Sequence, residues 1–344
     1  MPKSLVIDAE DEMRLHLRSL GRPEDVLLRE YMQTGFAVFA MIREVARRLG
    51  RRLEDTRSLL DFASGYGRVT RFLLDEIPAE RVTVSDIYAD AVRFQMTEFG
   101  VRGIVSATEP DGVDLCGPHD LITCISLFSH LPDRLFRRWL QKLVSTLRPD
   151  GLLLLTTHGP HLYSADCRED YVFVPESESR SLDGASYGST YVSQAHVARL
   201  VHELLPGRHL VASFARGANA HQDVHVVGPA GMVAVPDADL TLPRTFVDGM
   251  EKQGDRVRFW GWAFSAADGS PARRLRAFVD LAEVSTSTAA VERVDLRDHF
   301  PQASVRAGFE AWFPFEPWMS RRVFSVEVED DRGLRARIFH HMPF

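Results

Sequence analysis

The sequence predicts a doubly wound α/β domain on a mostly parallel seven-stranded sheet, followed by a small all-β sandwich. Three observations carry this. Short unbroken apolar runs alternate with helix-length segments through residues 58–156. A glycine turn joins the first of these runs to a helix. Beyond Gly228 the runs become short and alternating, with no helical period.

In chain order, Asp25 to Leu49 places apolar residues at roughly helical spacing and stops at Gly50, so it reads as one long helix or two broken near Gly35. Strands follow at Ser58–Phe62, Arg81–Ser85, Gly103–Ser106, Asp120–Leu127 and Leu152–Thr156. The helices between them are Arg68–Glu76, Ala89–Phe99 and Asp133–Leu147. Continuous apolar strands suit a parallel sheet buried on both faces, and helical crossovers make it right-handed and doubly wound. Residues 157–192 form a long polar insertion, which at that length is a functional lid or is disordered. After a helix at Ser193–Leu205, the strands His209–Ala215 and Asp223–Val227 are separated by Arg216-Gly217-Ala218-Asn219, a connection short enough only for an antiparallel pair. Pro229, Gly231, Pro236 and Pro243 mark a linker, and Arg256–Phe264, Leu275–Leu281, Val323–Glu329 and Leu334–His340 read as sandwich strands. The expected organisation is a helical cap at 1–50, a ligand-binding domain at 51–230 and an accessory sandwich at 231–344.

The chain has 344 residues, 45% of them apolar, which is enough for two cored domains. A formal net charge of −7 argues against a general nucleic-acid binder. No apolar run reaches the ~20 residues of a membrane span, and Met1 to Glu12 has the pattern of neither a secretory signal nor a transit peptide. Three cysteines, Cys116, Cys124 and Cys167, form no CxxC pair and fit a reduced, cytoplasmic setting.

The informative segment is Leu59-Leu60-Asp61-Phe62-Ala63-Ser64-Gly65-Tyr66-Gly67-Arg68-Val69-Thr70, a strand, a glycine turn and a helix start. Gly65 and Gly67 let the backbone turn and approach a ligand, and free N–H groups at the helix start suit a polar ligand. Asp61 stands at the carboxyl end of its strand, where such sheets bind ligands. Asp86 ends the next strand, one βα unit on, where an acid accepts ribose hydroxyls. A dinucleotide fingerprint wants a third glycine or alanine, but Thr70 stands there, and Asp61 would repel a pyrophosphate while suiting an ammonium group. No Tyr-x-x-x-Lys is present either, so a nicotinamide oxidoreductase is disfavoured.

At these residues the chain resembles motif I of class I S-adenosylmethionine-dependent methyltransferases, with Ala63 and Ser64 in place of the usual glycine and cysteine. Val82-Thr83-Val84-Ser85-Asp86, the run Asp120 to Leu131, and Leu147-Arg148-Pro149-Asp150-Gly151-Leu152 are similar to later parts of the same fold, and the likeness covers about residues 30 to 228. The resemblance implies a Rossmann-like methyltransferase using S-adenosylmethionine and releasing S-adenosylhomocysteine. It assigns Asp61, Ala63, Gly65 and Gly67 to the methionine moiety; Arg68 is a candidate partner for the methionine carboxylate or a solvent-facing residue at a helix start. Asp86 and Ile87 go to the ribose and adenine face, Ile125 to the methionine end. The usual acid after the third strand is replaced by Ser106-Ala107, leaving adenine to the Ala107 backbone. Tyr31 on the N-terminal helix is a further candidate to cover the cofactor, or a core aromatic.

Methyl transfer to a hydroxyl needs alignment and a base, and histidine suits the latter. His130, after the fourth strand, His158, at the end of the fifth with His161 close by, and His221, just before the last strand, are the candidates; strand carboxyl ends favour His158 and His130, His130 also being a candidate helix cap. His158, His161, Asp166 and Cys167 match no ordinary zinc spacing, so no metal is expected. Tyr171, Phe173, Tyr187 and Tyr191 are candidates to line an acceptor pocket. More loosely, Val257 to Ala263 and Arg293 to Leu296 resemble a sandwich module found behind bacterial glycosyltransferases, which implies a glycan or other small hydroxylated acceptor and offers Trp260, Trp262, Trp312 and Trp318 as a sugar platform or as core. The competing reading is a catalytically silent scaffold whose sandwich binds glycan or protein. The oligomeric state stays open, a homo-oligomer included.

Overall fold

The computed structural model describes residues 4–344 other than 165, 178, 180, 237–239 and 289, so parts of the expected insertion and linker, and the first three residues, lie outside the described residues. Two compact units emerge. One comprises Ile7–Glu12 and Val45–Leu240, the other chiefly Met13–Glu44 and Thr241–Phe344. Among the described residues no helix is long and apolar enough to cross a membrane.

The chain opens with helices α1 (Glu12–Ser19) and α2 (Glu24–Arg48). The sequence gives no cue to α1, a two-turn helix with no buried residue. Gly35 does not break α2, which runs unbroken because Phe36, Phe39, Ile42 and Val45 keep one apolar stripe buried through it.

The first unit then alternates: β1 (Leu59–Phe62), α3 (Thr70–Leu73), β2 (Val82–Asp86), α4 (Ala89–Phe99), β3 (Arg102–Val105), β4 (His119–Cys124), α5 (Asp133–Ser145) and β5 (Leu147–Thr157). The helix expected at Arg68–Glu76 is a single α-helical turn at 70–73 flanked by tight turns, since the glycine loop reaches as far as Gly67. α4 has its expected bounds and ends on Gly100 in the left-handed conformation. α5 buries Leu135, Phe136, Trp139, Leu140 and Leu143, the one-sided stripe a crossover helix needs.

The polar insertion holds a hairpin, β6 (Tyr171–Val174) with β7 (Ser189–Val192), paired antiparallel from Tyr171↔Val192 to Val174↔Ser189. After α6 (Gln194–Leu204), capped by the Ser193 hydroxyl accepting from His196 N–H at 3.1 Å, the strands β8 (Arg208–Ala218) and β9 (Gln222–Pro229) close the sheet. The order is β3-β2-β1-β4-β5-β9-β8, parallel through β5 and antiparallel at β9 and β8. This is the Rossmann-like, doubly wound architecture with the expected antiparallel final pair, though β8 continues through the expected turn to Ala218 and the connection is residues 219–221. β1 and β2 are buried along their whole length, and β1 lies next to β4 where the strand order reverses, the place such sheets bind ligands.

The second unit contains antiparallel sheets β10 (Arg244–Gln253), β11 (Arg256–Phe264) and β14 (Gly308–Pro314), and β13 (Ala282–Ser287), β12 (Arg274–Val279), β15 (Val323–Glu329) and β16 (Arg335–His341), with a short helix α7 (Leu296–His299). Phe259 of β11 and Phe313 of β14 meet Phe324 of β15 at ring separations of 5.1 and 5.8 Å, so the two sheets share an aromatic core. Of the tryptophans, Trp262 packs on Phe264 and Phe300, while guanidinium groups of Arg258 and Arg256 lie over Trp260 and Trp312. Trp318 is exposed and donates its indole N–H to Glu316.

His225, on β9, is wholly buried between the hydroxyls of Thr157 (3.0 Å) and Ser213 (2.9 Å), and burial pushes its pKa down to about 3. The unfolded chain takes this proton near pH 6.5, the folded chain only near 3, so the stability this histidine carries is complete above pH 6.5 and drains away as the pH falls towards 3. Asp61, protonated first in the folded state, works the other way between about 6 and 3.8. His225→Gln, which keeps a polar partner for both hydroxyls, is expected to flatten the acid limb of the melting temperature. Thermal melts of both proteins from pH 7 to 4 check this; parallel curves would contradict it.

Candidate active site

The site grows from the turn after β1. Ala63, Gly65 and Gly67 all take positive φ, 56°, 54° and 76°, so the chain folds back on itself within five residues. Ala63 is the costly member, because a side chain in the left-handed region is strained by about 1 kcal/mol; this is why the resembling motif places glycine there. The two glycines serve different ends. A Cβ on Gly67 would lie 2.4 Å from Phe99 Cε2 and 2.7 Å from Gln95 Oε1, so only glycine lets the turn close against α4. A Cβ on Gly65 would meet nothing within 4 Å, so this glycine borders open space.

Two side chains then fasten the turn. Gln95, fully buried on α4, donates its amide to the Gly65 carbonyl (2.7 Å) and the Ser64 hydroxyl (2.8 Å). Asp86, at the end of β2, accepts the Gly65 N–H on Oδ2 (2.8 Å) and the Tyr88 N–H on Oδ1 (3.0 Å). Burial raises the Asp86 pKa, opposed by these N–H donors. The Ile87 N–H also bonds Asp86, and since a carboxylate has about four lone-pair sites, capacity remains for a ligand hydroxyl. Gln95 and Tyr88 escape a motif reading, since each looks like an ordinary helix or loop residue.

Asp61 is 2% exposed and is the most perturbed acid of the site. Its Oδ2 accepts from Thr70 Oγ1 (2.7 Å) and its Oδ1 from Thr123 Oγ1 (2.8 Å). Burial still pushes its pKa up to about 6, and the Asp86 charge adds to the rise. Two neighbouring buried carboxylates favour a cation and oppose a pyrophosphate. Thr70, which breaks the dinucleotide pattern, is here the residue that orients Asp61.

The remaining expected ligand residues lie on other elements. Arg68 and Ile87 are half-buried, Ala107 is exposed beyond β3, and Ile125 is half-buried beyond β4 beside Ser126, itself at φ 64°. Tyr31 is fully buried on α2, in the second unit.

Past β4 and β5 the structure gathers imidazoles. The His130 and His158 rings are 5.7 Å apart edge-to-face, and His221 stands 5.6 Å from His158 on its other side. Tyr187 stacks on His130 at 4.6 Å and Tyr191 leans on His158 at 5.5 Å. His130 Nδ1 is 2.8 Å from the Gly188 carbonyl, which only accepts; the neutral ring therefore carries its proton on Nδ1 and its lone pair on Nε2. Burial, and then the imidazoles of His130, His221 and His161, push the His158 pKa down to about 4, so this ring is neutral at pH 7. His221 joins because β9 runs antiparallel, which brings its start to the carboxyl end of β5, where Thr157 pairs with Asp223.

The family model of the methyltransferase domain matches residues 29–204, just over half of the 344-residue chain. The chain belongs to this family. This methyltransferase-domain protein is also 28% identical over 107 residues to a malonyl-[acyl-carrier protein] O-methyltransferase from Acetivibrio thermocellus, a match covering 31% of this chain and only 37% of that relative. Solved structures with a similar course include the DhpI–SAH complex (18% identity, 64% of this chain and 96% of that one, TM-score 0.43). Another is an S-adenosylmethionine-dependent methyltransferase from Clostridium acetobutylicum (13% identity, 58% and 92%, TM-score 0.43).

The two glycines separate by experiment. Gly67→Ala is expected to lower the melting temperature, by roughly the 1–3 kcal/mol of a strained, crowded position, whereas Gly65→Ala suffers the backbone strain alone and instead puts a methyl into the ligand space. Thermal melts and nucleoside titrations of both variants check this; equal behaviour in both assays would contradict it.

Proposed function

We propose that the first unit binds S-adenosylmethionine at the carboxyl ends of β1 and β2 and transfers its methyl group to a hydroxyl of a small acceptor, a sugar or another small hydroxylated molecule. The observation that carries this reading is the pair Asp61 and Asp86 around the 63–67 turn: one buried acid with its pKa pushed up to about 6, the other held by the Gly65 N–H. S-adenosylmethionine answers both. Its ammonium and sulfonium charges relieve the crowded carboxylates, and its ribose hydroxyls match the lone pairs left on Asp86. Arg68, Ile87, Ala107 and Ile125 complete the proposed cofactor set of this unit.

When bound, the sulfonium supplies the electrophilic methyl carbon. The chain's own part would be to hold an acceptor hydroxyl towards that carbon and to take its proton on an imidazole. His130 and His158 are the proposed acceptors of this proton. His130 presents Nε2 because its Nδ1–H is committed to Gly188. His158, held neutral with a pKa near 4, adds no positive charge beside the sulfonium before the reaction. The second unit is proposed as an accessory module.

Calorimetry at pH 7.5 is expected to show binding of S-adenosylmethionine and S-adenosylhomocysteine but not of NAD; binding of NAD alone would overturn the reading. The ammonium pairs with ionised Asp61, so S-adenosylmethionine affinity should fall as the pH drops through about 6, by about tenfold at pH 5. Asp61→Asn should bind weakly at every pH and lose that dependence.

A further inference from the structure

The insertion between β5 and α6 is fastened at two places. Tyr88, two residues past Asp86, meets it through its phenol: Tyr88 Oη and Ser179 Oγ are 2.7 Å apart, and Ser181 Oγ donates to Tyr88 Oη at 3.0 Å. At the other end the loop after β4 takes hold. Gly188 N–H donates to the His130 carbonyl (2.9 Å), Thr190 N–H to the Ser129 carbonyl (2.7 Å), and the Gly188 carbonyl accepts from His130 Nδ1. In the sheet β1 lies between β2 and β4. A segment tied to the ends of both neighbours therefore crosses the end of β1, where the Asp61–Gly67 turn lies.

We infer that Tyr88 is a positioning residue that straps the insertion across the bound nucleoside and so sets how long it stays. Its two hydrogen-bonding ends do separate work. The main-chain N–H holds the carboxylate of Asp86, and the phenol holds the strap. The same strap carries Tyr187 and the Gly188 carbonyl, which fix the His130 ring, so closure over the cofactor and orientation of a proposed proton acceptor are one event. This rests on the proposed S-adenosylmethionine reading and adds to it the residue that governs retention.

Tyr88→Phe removes only the phenol oxygen and leaves the grip on Asp86 intact. The variant, and independently Ser179→Ala/Ser181→Ala, is expected to release S-adenosylhomocysteine about fivefold faster in stopped-flow displacement, the effect of one to two neutral hydrogen bonds, with little change in association rate. Amide hydrogen exchange of the 171–192 segment should be slowed by S-adenosylhomocysteine in the wild type and much less so in either variant. Unchanged release rates and unchanged exchange in both variants, with the wild type binding normally, would overturn the strap alone. Failure of the wild type to bind S-adenosylhomocysteine would overturn the cofactor reading and this inference with it.

Discussion

The hydrogen bond from Gly65 N–H to Asp86 Oδ2 ties the turn after β1 to the end of β2, and the arrangement of the first unit follows from what that bond requires. It requires two adjacent parallel strands ending at one level, which the Leu59↔Val82 to Phe62↔Ser85 register provides. A turn with positive φ must then aim an amide across the gap, and residues 63, 65 and 67 supply it. It needs a helix close enough to brace the turn, which Gly67 permits and Gln95 exploits. A buried carboxylate without such donors would be costly; with them it is fixed in direction and keeps capacity for a ligand.

Electrostatics then separates ligand classes. Asp61 and Asp86 are both buried, and each acid is shifted towards its neutral form. An anionic ligand there would add a third negative charge to a space of low polarity, whereas a cationic amino-acid nucleoside turns the same repulsion into attraction. Past β4 and β5 the chemistry changes to imidazoles and phenols. The boundary between the two regions is where a methyl group would pass from donor to acceptor.

Much of this was legible in the sequence because it depends on local rules. Leu59 to Thr70 carries its strand, turn and helix start in contiguous residues, and Ala89–Phe99 is bounded by its own apolar period and Gly100. The antiparallel closure followed from a connection too short for a crossover. What stayed hidden depends on tertiary contacts. β6 and β7 are four residues each, pair with one another, and sit inside a polar stretch whose composition masks them. Gln95, Thr123 and Tyr88 matter through partners 30, 62 and 91 positions away, and no periodicity marks such a residue. His221 reaches His158 only because β9 runs backwards.

The central claim is that Asp86 grips ribose hydroxyls at the end of β2. Its most direct test is a titration of wild type and Asp86→Asn with S-adenosylhomocysteine and with its 2′,3′-dideoxy analogue. The account predicts that the wild type prefers the natural ribose by about tenfold or more, the worth of a charge-assisted hydrogen bond, and that the preference collapses in the variant. An equal preference in both proteins would contradict it.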